Sequence, residues 1–210
     1  MTVLDFPSIT PSSAEFGLLS NTQSFVSPLA GTTQTLELPG ARWRCKIEFE
    51  ALSDAERREL SAFLTQLRGQ AGRFYYGDPG YQVAGPAGVA TGTPLVNGAS
   101  QSGTSLVTDG WTASTTDILK AGDYVSFDTS AGRELHMLVA GVNSDIGGAA
   151  TLTFATPMRT PPADNTVISV AGASCIMRLV DDEQARWSVN RGPLFASVGL
   201  EMVEAFTDAA

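Results

Sequence analysis

Residues 53–69, SDAERRELSAFLTQLRG, are the only segment of this chain with a clear helical period, and both flanks have the period of a strand. On the leading side, Trp43, Cys45, Ile47 and Phe49 alternate with Arg44, Lys46, Glu48 and Glu50. Strict period two marks an antiparallel strand with one buried and one wet face. Ser53 and Glu56 then have capping-box spacing, in which each side chain satisfies a backbone N–H of the other. Asp54 and Glu56 put negative charge at the positive end of the helix dipole. Leu60, Phe63, Leu64 and Leu67 fall on one stripe, and Gly69 stands where a left-handed C-terminal cap is expected. The spacing predicts a helix over 54–68, its stripe packed on a β core with Trp43. The segment GRFYYGDPG returns as a strand that ends in a Gly/Pro turn.

The rest of the chain reads as strands. Leu36 and Leu38 alternate with Thr35 and Glu37, and Pro39-Gly40 is a turn signal. This run and the strand from Trp43 are expected to form a hairpin. From about residue 80 to 165 the chain carries Gly or Pro every few residues, with short strands at 124–127, 135–139 and 151–154. Strands at that spacing suggest a small barrel or sandwich, and the middle third looks inserted. The end is strand-like again, with Trp187 on an alternating core strand, DDEQ at 181–184 as a hairpin tip, and a long last strand with Val198, Leu200 and Met202 or Val203 near the core. The whole reads as all-β with one α-helix.

Chemistry is hard to find. A net charge of −9, from 13 Lys plus Arg against 22 Asp plus Glu, with no basic cluster, argues against nucleic acid as a direct partner. An acidic lining that lets DNA pass is still compatible with it. Only 17% of residues are charged, which suits a surface that meets other protein or one rich in Thr and Ser. Cys45 and Cys175 lie among apolar residues and read as small buried hydrophobes rather than a disulfide framework. The start, MTVLDFP, has no basic stretch followed by an apolar run, so no signal peptide is expected. No stretch approaches about 18 apolar residues, so no membrane-spanning helix is expected either.

No dinucleotide, phosphate-loop or zinc-protease motif is present, and no cofactor or metal is expected. Asp123, Asp128, Asp145, Asp181 and Asp182 are carboxylates of the type a glycosidase pair needs, but turns use Asp for local hydrogen bonds. DDE at 181–183 lacks the spaced ligands of a calcium loop. His136, the single histidine, reads as a partly exposed strand residue. Of the three tryptophans, Trp43 and Trp187 are expected in the core. Trp111, in the turn-rich VTDGWTA, is the one expected to be exposed and able to stack on a sugar.

The order of these pieces suggests a family. A strand bearing Trp43, the Ser-capped helix, FLTQLRGQAGRFYYGDP, a Gly-rich segment with GASQSGTSL and LKAGDYVSF, then TPMRTPP and IMRLVDD, resembles the distal tail proteins of long-tailed bacteriophages and prophages. The resemblance covers most of the chain and rests on structural residues. It implies a β-sandwich core with the helix packed on it and an inserted small β-barrel or sandwich, split here as 1–79, 80–165 and 166–210. It implies a structural protein of the virion tail tip, made in the host cytoplasm and without enzymatic activity. Its copies would form a ring, commonly a hexamer, between the tail tube protein and the tail hub with its receptor-binding or fibre proteins. Two other functions fit the residues less well: a carbohydrate-binding module of the baseplate using Trp111, and a tail tube or terminator ring protein. An enzyme comes last.

Overall fold

A computed structural model describes residues 2–184, 186, 188–189 and 196–206. The chain is mostly β, 45% strand and 13% helical, with one substantial helix and no closed barrel among the described residues. The strands in chain order are β1 (Leu4–Asp5), β2 (Ser13–Leu19), β3 (Thr22–Val26), β4 (Thr33–Glu37), β5 (Arg42–Leu52), β6 (Phe74–Tyr76), β7 (Gly92–Val96) and β8 (Gly103–Trp111). They continue with β9 (Tyr124–Thr129), β10 (Gly132–Met137), β11 (Ala150–Met158), β12 (Ile168–Ser169), β13 (Cys175–Leu179), β14 (Ser188–Val189) and β15 (Ala196–Glu204). The helices are α1 (Asp54–Leu67) and the short α2 (Pro79–Ala84).

The largest sheet runs β1-β6-β13-β15-β5-β2, with β14 added to β15. On β5 the alternation is realised in full: Trp43, Cys45, Ile47 and Phe49 are buried, and the residues between them are exposed. Near its end Ala51 takes a left-handed φ of 56°. The register with β15 shifts there, from Phe49 opposite Val198 to Leu52 opposite Ala196. This is a β-bulge, whose extra residue returns Leu52 to the core side just before the helix starts.

Helix α1 covers the buried face of this sheet. Its cap has the predicted form: the Glu56 N–H donates to Ser53 Oγ, and the Ser53 N–H donates to Glu56 Oε2 at 2.9 Å. Leu60, Phe63, Leu64 and Leu67 are all buried, and Phe63 meets Phe74 edge-on at 5.5 Å. At the other end Arg68 is the C-cap residue with a left-handed φ of 54°, and Gly69 follows it with φ +69° as the sequence predicts. Glycine suits that positive φ, and position 69 is also crowded. A Cβ there would lie 2.2 Å from Asp182 Oδ1, the oxygen that accepts the Gln70 N–H. Asp182 therefore belongs to a tight turn against the helix end.

Three expectations about local pairing are corrected. β4 pairs with β3, while β5 pairs with β2 and β15, so 35–38 and the Trp43 strand are not hairpin partners. The DDEQ segment is a short 3-10 turn and not a hairpin tip, because β13 pairs with β6 and β15 rather than with β14. The Gly/Pro turn after β6 opens a short helix: Asp78 caps α2 by accepting the Gly80 N–H, with Pro79 in the first turn.

The middle of the chain makes two three-stranded sheets, β11-β8-β7 and β10-β9-β12. Between them lies a second cluster of buried residues, drawn from Val96 to Val170. The first cluster lies between α1 and the large sheet, and it includes Tyr124 of β9 and Leu135 of β10. Sheet β10-β9-β12 is thus a shared wall. Tyr124 and Leu135 face the first core, while Val125 and Phe127 face the second.

Candidate functional site

The densest group of buried charges sits beside this wall. Successive side chains on a strand point to opposite faces. With Leu135 turned to the first core, Glu134 and His136 turn to the second, and both are buried. His136 lies between the rings of Phe127 and Phe154, with centroids 5.5 and 4.6 Å away. This corrects the expectation of a partly exposed histidine: a strand that separates two cores has no wet face.

His136 Nε2 is 3.1 Å from Glu134 Oε2, and its Nδ1 has no hydrogen-bond partner among the described residues. Glu134 also accepts the backbone N–H groups of Arg159 and Thr160 at 3.0 and 2.8 Å. Arg159 reaches on to Glu204 Oε1 at 2.5 Å, and Glu204 Oε2 accepts the Trp43 N–H at 3.0 Å. The Trp43 indole N–H donates to the Leu135 carbonyl at 2.8 Å. The chain Glu134–Arg159–Glu204–Trp43 therefore ties β10 and the segment after β11 to the large sheet.

Burial pushes Glu134 up, but the hydrogen bond from His136 and the charge and N–H of Arg159 outweigh it and leave the carboxyl below its ordinary value. Burial dominates at Glu204 and holds it above its ordinary value. One carboxylate is well compensated and the other less so. Such a network fixes geometry, and a small pocket of about 140 Å³ opens beside it, lined by Glu134, Arg159, Thr160 and Phe206 among others.

The other candidate carboxylates have local work. Asp123 is buried and accepts the N–H groups of Ala87, Gly88 and Lys120, so it staples the start of the middle segment. Asp128 pairs with Arg133, Asp145 accepts the Gly147 and Ala149 N–H groups, and Asp181 accepts that of Glu183. No group of three or more His, Cys, Asp and Glu side chains suits a metal ion among the described residues. Cys45 and Cys175 are buried and free; burial pushes the Cys45 thiol up to about 12 and Cys175 upward as well. Neither has the low pKa of a reactive thiolate.

Trp111 is also a correction. It is 4% exposed, inside the second core, and its indole N–H donates to Thr108 Oγ1 at 2.8 Å. Trp187 lies outside the described residues.

What remains open is surface. Beyond Leu19 the β2–β5 pairing continues as a two-stranded ribbon, β3–β4, which forms a sheet of its own. Every residue of β3 and β4 is exposed. Phe25 is 64% exposed, Leu36 60%, and Leu29 in the connecting turn 98%. Glu37 is the only charged residue in 20–41. A two-stranded ribbon alone in water is marginal at best, and apolar side chains grouped at an exposed edge mark a contact with another molecule.

A second surface is a groove of about 600 Å³ under the N-terminal segment. Phe6, Pro7, Ile9, Pro11, Tyr75 and Val83 give it largely apolar walls, and Asp5 is its one charged lining residue among the described residues.

Compared with known proteins, the chain matches no family model and no curated sequence.

Proposed function

We propose that the protein is a structural adaptor of a phage tail tip, a ring subunit between the tail tube and the hub with its receptor-binding proteins. The observation that carries this reading is the charge-poor ribbon 20–41, which holds Phe25, Leu29 and Leu36 in water in the single chain. A subunit whose purpose is to join copies needs such a surface, and one that works alone has no use for it. The resemblance of the segment order to that of distal tail proteins supports the same reading. So does the hydrogen-bonded join between the two cores, because an adaptor acts by holding faces at fixed angles.

The carbohydrate-binding reading loses its stacking platform with Trp111 buried. The tube reading differs in number: a tube protein is present in hundreds of copies per particle and a tail-tip ring in a handful. The test is copy number per virion by quantitative mass spectrometry, together with mass in solution. A ring-sized assembly and a copy number near its subunit count are expected. A strictly monomeric protein absent from virions would overturn the reading.

A further inference from the structure

We infer that the β3–β4 arm of one copy docks into the N-terminal groove of the next copy, with Leu29 at its tip, so that subunits join head to tail. This rests on the reading of the protein as a ring subunit and names the contact that builds the ring.

Both halves of the contact lie on one chain but at opposite ends of one strand. β2 begins at Ser13 and Ala14, which line the groove, and ends at Leu19, where the arm departs. Seven residues of strand separate them by about 20 Å at 3.3 Å per residue. The arm does not fill its own groove, since Leu29 at its tip is 98% exposed. A plug and a socket at opposite ends of a subunit make a heterologous contact. Such a contact closes into a ring when the rotation between copies divides the circle.

The charges select a second copy as the occupant. Each chain carries −9, so copies repel one another unless they meet through neutral surfaces. Arm and groove are the matching neutral surfaces, with one charged residue each, Glu37 and Asp5. A basic partner would find only the single carboxylate of Glu37 on the arm, and an acidic one no basic complement. In size, a specific interface draws on roughly 20–30 residues a side, about what the arm from 20 to 41 contains.

The test is cross-linking between two full-length variants, Leu29→Cys and Val83→Cys. Val83 lines the groove and is 80% exposed, while the native Cys45 and Cys175 are buried and silent. Mixed with a short bismaleimide, the two variants should give a covalent heterodimer. Each variant alone, and the wild type, should give none. In parallel, the triple variant Phe25→Ser, Leu29→Ser, Leu36→Ser should keep the wild-type circular dichroism and melting temperature of the core. Its association should weaken at least tenfold by mass photometry or sedimentation.

If the wild type forms rings, no heterodimer appears and the triple variant assembles normally, the arm inference falls and the ring reading stands. If the triple variant keeps its rings while virions lose another tail component, the arm belongs to a different protein and the inference falls as well. If the heterodimer forms but virions contain no ring of the protein, the contact is upheld and the tail-tip role is lost. A wild type that stays monomeric at every concentration and gives no heterodimer overturns both.

Discussion

At the scale of single residues, Trp43 and Trp111 show what a local pattern carries and what it lacks. The alternation around Trp43 marks it as inward-facing. It cannot show that the indole N–H reaches Leu135, 92 positions away. Trp111 was expected outside because turn residues surround it. The glycines have another cause: a Cβ on Gly92 or Gly148 would lie within 3 Å of backbone at 110–111. Glycine lets two stretches of backbone touch, and that close approach is what buries Trp111. Trp111→Ala should therefore cost about 3–5 kcal/mol, measured by urea denaturation. A cost under about 1 kcal/mol, typical of an exposed site, would restore the exposed reading.

The buried carboxylates give a pH test at the same scale. Glu134 is depressed below the ordinary 4.5, so its stabilisation is complete above pH 4.5 and is lost as pH falls through the folded value. Glu204 has the opposite sign: acidification through its raised value relieves a burial penalty. The melting-temperature gap between wild type and Glu134→Gln should be widest near neutral pH and shrink below pH 4.5. A gap that stays constant down to pH 3 would mean that the charge of Glu134 contributes nothing.

At the scale of elements, α1 was legible nearly to the residue because all its signals are local: a cap at Ser53, a stripe, a stop. Ser53→Ala removes one cap hydrogen bond and should cost about 1 kcal/mol by thermal or chemical melting. Leu64→Asp places a charge in the first core, where Leu64 is 1% exposed, and should leave the protein largely insoluble. Normal solubility in that variant would mean the stripe faces water.

The pairing of β5 was not legible, although a turn signal stood beside it. Pro39-Gly40 marks a bend, not a reversal. Asn21 closes that bend, accepting the Leu38 N–H and donating its side-chain amide to the Pro39 carbonyl. Both strands of the ribbon cross the bend together and turn back only at 27–32. A local turn rule reports that the chain changes direction, and only long-range register reports by how much. The DDEQ segment failed in the same way, since the partner of β13 is the last strand and not the next one.

At the scale of the whole molecule, two cores share one wall, and the low-charge surface has a definite place. The middle third is recognisable in sequence by its glycines, but its join to the large sheet rests on contacts such as Arg159–Glu204, for which no local pattern exists. The charge distribution sets the response of assembly to salt. Copies of charge −9 repel at long range, and salt screens that repulsion within about 8–10 Å at physiological strength. The arm and groove bring only Glu37 and Asp5 to the contact, so salt has no attraction there to weaken. Sulfate adds to the effect by strengthening apolar burial. Raising the salt from about one-tenth of physiological strength to several times above it should therefore tighten association, with sulfate more effective than chloride. Sedimentation at fixed protein concentration reads this directly. Association that loosens as salt rises would place the contact in ion pairs instead, and the exposed Arg44–Glu201 pair beside β2 would be the first place to look.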